Sequence, residues 1–94
     1  MSLEFEWDPK KAKENLLNHD GVSFEEGMSV FADPLAKIFN DEEHSYDEQR
    51  EIIIGHSTRE RLLLVSFTGE GTRVRIISAR EATAAERRDY EENT

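Results

Sequence analysis

The chain has 94 residues, a formal net charge of −9 and no cysteine. This length predicts a single domain, residues 1–94, whose apolar side chains must close the core without disulfide bonds, and the lack of cysteine excludes thiolate metal sites. No apolar run reaches the roughly eighteen residues of a membrane span, and no basic start precedes an apolar stretch, so we expect a cytoplasmic protein without a secretory signal.

The charge is distributed unevenly along the chain. Residues 1–48 contain 13 acidic residues, four lysines and no arginine, whereas all eight arginines lie at or after Arg50. An acidic chain is unusual for a nucleic-acid-binding protein, because such binding depends on basic side chains that meet phosphates. The arginine-rich half can still form a local basic face. Alternatively, these arginines pair with neighbouring glutamates on solvated surfaces.

The first predicted elements are a strand and a helix. Leu3–Trp7 alternates apolar and acidic residues, which is typical of a half-buried strand. Asp8 and Pro9 then favour a helix start, with Asp8 as the cap, and Gly21 suits a left-handed exit at its end. We expect this helix to bury one face, formed by Ala12, Leu16 and Leu17.

A second helix and a short strand follow. Ser23 and Glu26 have the spacing of a capping box, in which each side chain binds the backbone amide of the other residue. The apolar stripe of this helix consists of Phe24, Met28 and Phe31. The helix should end before Asp33, and Leu35–Phe39 is predicted to be a strand before the polar loop of residues 40–49.

Three further strands are predicted in the second half, at Ile52–Ile54, Leu62–Val65 and Val74–Ile77. Their connections, residues 57–60 and 69–71, are typical of hairpins. Apolar runs without alternation indicate strands covered on both faces, here by the helices.

A closing helix is predicted from Thr83 to Tyr90, with Thr83 as its cap and Glu86 three residues later. We expect residues 91–94 to form a frayed tail. The predicted order is β-α-α-β-β-β-β-α, an α+β fold with one mostly antiparallel sheet and helices packed on it.

Three histidines and an acidic segment are further candidates for chemical groups. His19 is placed at the end of the first helix, where it can transfer protons or simply complement the helix dipole. His56 ends an apolar strand and can mark the point at which that strand meets solvent. Asn40–His44 could be drawn as a metal site, but it lacks the spacing and central glycine of a calcium loop, so a solvated acidic loop is favoured.

The end of the last strand and the closing helix carry the strongest candidate site. Alternation places Arg73 and Arg75 on one face of the strand, and Arg80 falls where the strand gives way to the helix. The helix then supplies Glu86, Arg87 and Tyr90. This set can form an anion site, or an ion-pair network that joins helix to sheet; spacing alone does not separate the two.

The chain resembles the BrnT family over residues 5 to 90. The stretches that carry the resemblance are Phe5–Lys11, Asn15 with His19, Gly21–Glu26, Val30–Pro34, Arg50 before the strand ending in Gly55, Arg75–Arg80, and Glu86–Arg87 with Tyr90. One departure is visible: family members usually carry Lys-His-Gly after the first helix, whereas this chain has Asn18-His19-Asp20-Gly21.

The resemblance implies a growth-arresting toxin of a type II toxin–antitoxin pair, with a fold similar to the RelE ribonuclease toxins. It implies RNA as the substrate and a BrnA-like antitoxin as the partner. That antitoxin carries a ribbon-helix-helix DNA-binding part, so DNA contact would be indirect. The resemblance implies neither membrane association nor a cofactor.

We therefore expect metal-independent cleavage of RNA, in which the 2′-hydroxyl attacks the adjacent phosphate. Arg80 and Arg87 are the expected phosphate clamps, with Arg50 as a third, because charge stabilisation suits arginine. The candidate bases are Glu86 and His19, and Tyr90 could donate a proton or stack on a base. The alternatives are a non-catalytic antitoxin-binding or regulatory module and a degenerate toxin.

Overall fold

The computed structural model describes residues 2–18, 21–42 and 49–93. The elements are β1 (Glu4–Glu6), α1 (Pro9–Asn18), α2 (Phe24–Ser29), β2 (Lys37–Asn40), β3 (Glu51–His56), β4 (Leu62–Glu70), β5 (Arg73–Glu81) and α3 (Ala84–Glu92). A short 3₁₀ helix, Val30–Ala32, continues α2. The predicted order of elements is confirmed. Within the described ranges, no helix is both long and apolar enough to cross a membrane.

The strands form one five-stranded sheet in the order β1-β5-β4-β3-β2. Strand β1 runs parallel to β5, and the other neighbours pair antiparallel. The sheet is therefore mostly antiparallel, as predicted. Because β5, β4 and β3 are the three inner strands, the arginine-rich second half of the chain supplies the middle of the sheet.

Both faces of the sheet carry buried apolar side chains. The larger cluster lies beneath α1 and α2 and includes Ile53, Leu63 and Val65. The smaller cluster lies on the opposite face and joins Ile54, Leu62 and Leu64 to Tyr90 of α3. Alternate residues of one apolar run thus enter different clusters, which confirms that these strands are covered on both sides.

The buried face of α1 differs from the prediction. Leu17 is 77% exposed and Leu16 is 47% exposed, whereas Asn15 is buried. The Asn15 amide nitrogen donates to the carbonyl oxygens of Ala79 (2.7 Å) and Val22 (2.9 Å), and its oxygen accepts from the Ala79 amide (3.1 Å). The polar side chain is buried because the backbone of β5 satisfies it, and this rotates the two leucines outward.

The capping box predicted for α2 forms only in part. The Ser23 hydroxyl accepts from the Glu26 amide at 3.0 Å, as expected. The Glu26 carboxylate does not return to the cap; it accepts from Arg61 and from the Ser57 hydroxyl (2.7 Å). Glu26 therefore joins α2 to the β3–β4 turn.

Strand β2 begins at Lys37 rather than at Leu35. The carboxylate of Asp33 accepts from the Leu35 amide at 2.9 Å, and the Ala36 amide donates to the Asp33 carbonyl. An aspartate that binds the backbone two residues ahead holds a turn, so the chain can extend only after it.

Strand β5 contains an irregularity that determines which arginines share a face. Ser66 pairs with Ser78, but Phe67 pairs with Ile76, so Ile77 has no partner on β4. This one-residue bulge reverses the alternation of the strand. As a result, Val74 and Ile76 before it and Ala79 after it all enter the same core cluster.

Candidate functional site

The N-terminal cap of α3 places the Glu86 carboxylate next to the end of β5. The Thr83 hydroxyl accepts from the Glu86 amide, and the Glu86 carboxylate accepts from the Thr83 amide at 2.8 Å, which confirms Thr83 as the cap of α3. This reciprocal arrangement fixes the Glu86 side chain against the helix start. Its carboxylate therefore faces the last residues of β5.

Arg80 binds that carboxylate with two hydrogen bonds. Its Nη1 donates to Glu86 Oε1 at 2.8 Å and its Nη2 donates to Oε2 at 2.9 Å, while Nη1 also donates to the Glu81 carbonyl at 3.1 Å. The guanidinium lowers the pKa of Glu86 to about 2, against a partial opposing effect of burial. The same hydrogen bonds raise the pKa of Arg80. Both groups are charged at neutral pH.

Arg80 keeps two N–H groups for a ligand on the side of its guanidinium that does not face Glu86. Arginine has five N–H donors, and contacts within the described part of the chain engage three of them. The remaining donors are Nε–H and the second Nη2 hydrogen, which lie side by side. This geometry can bind a phosphate while Glu86 holds the end of the guanidinium.

Arg50 and Arg80 line one cavity of about 320 Å³ on the face of the sheet opposite α1 and α2. The cavity is completed by Asp41, Ile52, Leu64, Ser66 and Ser78. The two serines are a register pair on β4 and β5 and place two hydroxyls between the arginines. Neither serine could be predicted as a site residue from the sequence, since a serine inside a strand has no distinguishing pattern.

Tyr90 and Arg87 lie away from this cavity. Tyr90 is buried, its hydroxyl donates to the Leu35 carbonyl at 3.2 Å, and its ring meets the His56 ring edge-on at 5.8 Å. Burial raises the pKa of Tyr90. Arg87 is exposed on α3 and does not line the cavity of Arg50 and Arg80. His19 lies outside the described residues.

His56 has a more specific environment than the end of a strand requires. Its amide donates to Asp33 Oδ2 at 2.7 Å, and its Nδ1 lies 3.7 Å from the same oxygen. The interaction holds the end of β3 against the turn that follows the 3₁₀ helix. His56 therefore connects this turn to α3 through Tyr90.

Within the ranges that the structure covers, no group of three histidines or carboxylates is arranged to hold a metal ion. The acidic segment Asn40–His44 is only partly included, because residues 43–48 lie outside those ranges. The charged side chains that line the described cavity are those of Arg50, Arg80 and Asp41.

Comparisons with known proteins agree with the fold. The family model described as the ribonuclease toxin BrnT of a type II toxin–antitoxin system matches residues 7–86. The crystal structure of the Brucella abortus ribonuclease toxin BrnT has a TM-score of 0.65 to this chain, with 24% identity and coverage of 87% of this chain and 99% of that chain. At this identity the structural likeness shows a shared fold. No curated protein matches the chain in sequence.

Proposed function

Because this chain belongs to the BrnT family of ribonuclease toxins of type II toxin–antitoxin systems, we propose that it is a metal-independent endoribonuclease that arrests growth. The observation that carries this proposal is the pairing of Arg50 and Arg80 in one cavity, with a fork of Arg80 still able to bind phosphate. In the proposal the chain acts as a single cytoplasmic domain.

The proposed reaction is an attack of the RNA 2′-hydroxyl on its own 3′-phosphate. The 2′-oxygen forms a bond to phosphorus, the bond to the 5′-oxygen breaks, and the products are a 2′,3′-cyclic phosphate and a 5′-hydroxyl. A base takes the 2′ proton and an acid gives one to the leaving oxygen. Arg80 and Arg50 stabilise the charge that builds on the phosphoryl oxygens, and the hydroxyls of Ser66 and Ser78 lie beside it.

The geometry supports a positioning role for Glu86. A carboxylate with a pKa of about 2 accepts a proton poorly at neutral pH. Glu86 instead holds the guanidinium of Arg80 in place through two hydrogen bonds. His19 then remains the candidate base. Arg87, exposed beside Glu86 on α3, can bind a neighbouring phosphate, and the buried Tyr90 packs α3 onto the sheet.

We propose a BrnA-like antitoxin, with a ribbon-helix-helix part, as the partner, so that DNA is reached only through it. The acidic character of residues 1–48 supports this choice, because 13 acidic residues against four lysines suit a basic antitoxin segment. A toxin needs such an interface in addition to its catalytic site.

One observation favours a second candidate function. The end of the Arg80 guanidinium is already bound to Glu86, as expected if the pair simply joined α3 to the sheet. In that case the protein is a non-catalytic antitoxin-binding or regulatory module, or a degenerate toxin.

Cleavage of total RNA by the purified protein in the presence of a chelator separates these functions. The Arg80→Ala variant is the test and Arg59→Ala is the matched control, since Arg59 is exposed in the β3–β4 turn. Cleavage by the parent and the control, but not by Arg80→Ala, supports the nuclease. No cleavage by any of the three proteins supports the second candidate.

A further inference from the structure

We propose that Arg73 and Arg75 form a second phosphate subsite that extends the Arg50–Arg80 cavity, so that single-stranded RNA lies across the open face of the sheet. The inference rests on the proposed function for the identity of the ligand. Its geometric basis is independent, since it depends on the bulge in β5 and on a separate cavity.

The second cavity lies beside the first on the same face of the sheet. It has a volume of about 360 Å³ and is lined by Glu6, Gln49, Thr68, Gly69, Glu70, Arg73 and Arg75. Gln49 of this cavity is followed in the chain by Arg50 of the other. Strands β4 and β5 contribute to both, with Thr68 and Arg75 paired in one and Ser66 and Ser78 paired in the other.

The separation of the two sites requires more than one phosphate. Arg75 pairs with Thr68 and Arg80 pairs with Leu64, so the two register positions are four steps apart along β4. At about 3.3 Å per residue this is roughly 13 Å along the sheet. A single phosphate group cannot span that distance, so the two cavities would hold different nucleotides of one strand.

The side chains of Arg73 and Arg75 are available for a ligand. Both residues are exposed, and no ion pair within 4 Å involves either of them in the part of the chain that the structure describes. Carboxylates lie on the neighbouring strands opposite both arginines, since Glu70 is the register partner of Arg73 and Glu6 is the register partner of Arg75, yet among the described residues these pairs form no ion pair. Arginine forks bind phosphate oxygens with two parallel hydrogen bonds.

The two glutamates of this cavity define what kind of binding to expect. Glu6 and Glu70 balance the formal charges of Arg73 and Arg75 one for one, so the subsite should bind a strand weakly, through the hydrogen bonds of the arginines, and release it readily. Their oxygens can accept hydrogen bonds from amino groups on bases, which a single strand exposes. Within the described residues, helix α3 packs on the Ile54, Leu62 and Leu64 part of this face, and the described side chains beyond Ser66 line the second cavity.

The test uses RNA that the proposed reaction cannot cleave. A fluorescein-labelled oligouridylate with 2′-O-methyl groups is bound to the protein over a series of salt concentrations, and the dissociation constant is followed by fluorescence anisotropy. The test variant is Arg73→Gln/Arg75→Gln. The control is Lys13→Gln/Arg59→Gln, which makes the same change in net charge at exposed sites on α1 and in the β3–β4 turn.

The test variant should bind roughly tenfold more weakly at low salt, with a salt slope smaller by about 1.4, because each contact to a single strand contributes about 0.7. The control should keep the parent slope. Equal slopes for the two variants would overturn the subsite. The probe lacks a 2′-hydroxyl, so its binding is measured independently of cleavage. If the parent protein cleaves no RNA but the salt slope still falls in the test variant, the subsite is supported and the proposed nuclease is not.

Discussion

Arg75 and Arg80 lie on the same face of strand β5 although they are five positions apart in the sequence. In a regular strand an odd separation places two side chains on opposite faces. The unpaired Ile77 adds one residue between them and restores a common face. The bulge therefore brings the arginines before and after it onto the side of the sheet that α1 and α2 leave uncovered.

Replacing Arg80 by alanine should lower the rate of RNA cleavage by at least about 100-fold, the effect of removing one donor that stabilises transition-state charge. Its loss should change the free energy of unfolding by less than about 1 kcal/mol, because the Arg80–Glu86 pair is partly exposed. Cleavage rates and urea unfolding measure the two effects. A folded Arg80→Ala protein with parental activity would exclude this site.

The ion pair of Glu86 also predicts a pH dependence of stability. The pKa of Glu86 falls from 4.5 to about 2 on folding, so the carboxylate stabilises the native state fully above pH 4.5 and loses that effect as the pH falls toward 2. Glu86→Gln should therefore be less stable than the parent by about 1 kcal/mol at pH 7, after allowance for solvent screening. The difference should vanish near pH 2.

Urea unfolding of both proteins at pH 7 and at low pH measures this difference. The control is Glu14→Gln, an exposed glutamate on α1. A difference between Glu86→Gln and the parent that is unchanged at low pH would show that charge on Glu86 does not contribute.

Local patterns in the sequence were sufficient to predict the order of the helices and strands and where several of them begin or end. The caps at Ser23 and Thr83 depend on residues three positions away, so a short window contains the whole interaction. The hairpin strands follow from the apolar runs that fill both sides of the sheet. These features share one property: their partners lie nearby in the chain, or they need only an apolar environment.

The features that sequence reasoning missed depend on partners that are distant in the chain. Asn15 was not expected to be buried, because its partner Ala79 lies 64 residues away. The bulge at Ile77 was not expected, because Ile76 and Ile77 are both apolar and either could face the core. Arg50 and Arg80 could be proposed as phosphate contacts from their residue type. The two serines between them could not, because their position depends on the pairing of β4 with β5.

Asn15→Leu should destabilise the fold by about 2–4 kcal/mol, because it leaves the Ala79 amide and the carbonyls of Ala79 and Val22 without their buried partner. Asn18→Leu is the matched control, since Asn18 is exposed at the end of the same helix. Its free energy of unfolding should stay within about 0.5 kcal/mol of the parent. Similar losses in both variants would indicate a general effect on α1 instead of the bridge to β5.

The pair formed by Glu26 and Arg61 gives the largest expected effect. The Glu26 side chain is 4% exposed, and the hydrogen bond from Arg61 is the main cause of its lowered pKa. Arg61→Met leaves that carboxylate buried without its cation, which should cost about 3–5 kcal/mol at pH 7. The double variant Glu26→Gln/Arg61→Met should recover part of this loss, because no charge is then buried.

The loss in Arg61→Met should also depend on pH, with a sign that identifies its cause. In the parent, a lowered folded-state pKa means that the Glu26 carboxylate stabilises the protein above its unfolded value of 4.5 and less so below it. In Arg61→Met the buried carboxylate can escape its penalty by taking up a proton. The stability gap between parent and variant should therefore narrow as the pH falls below 4.5. A gap that stays constant in urea unfolding would mean that Arg61 acts through packing of its side chain and not through its charge.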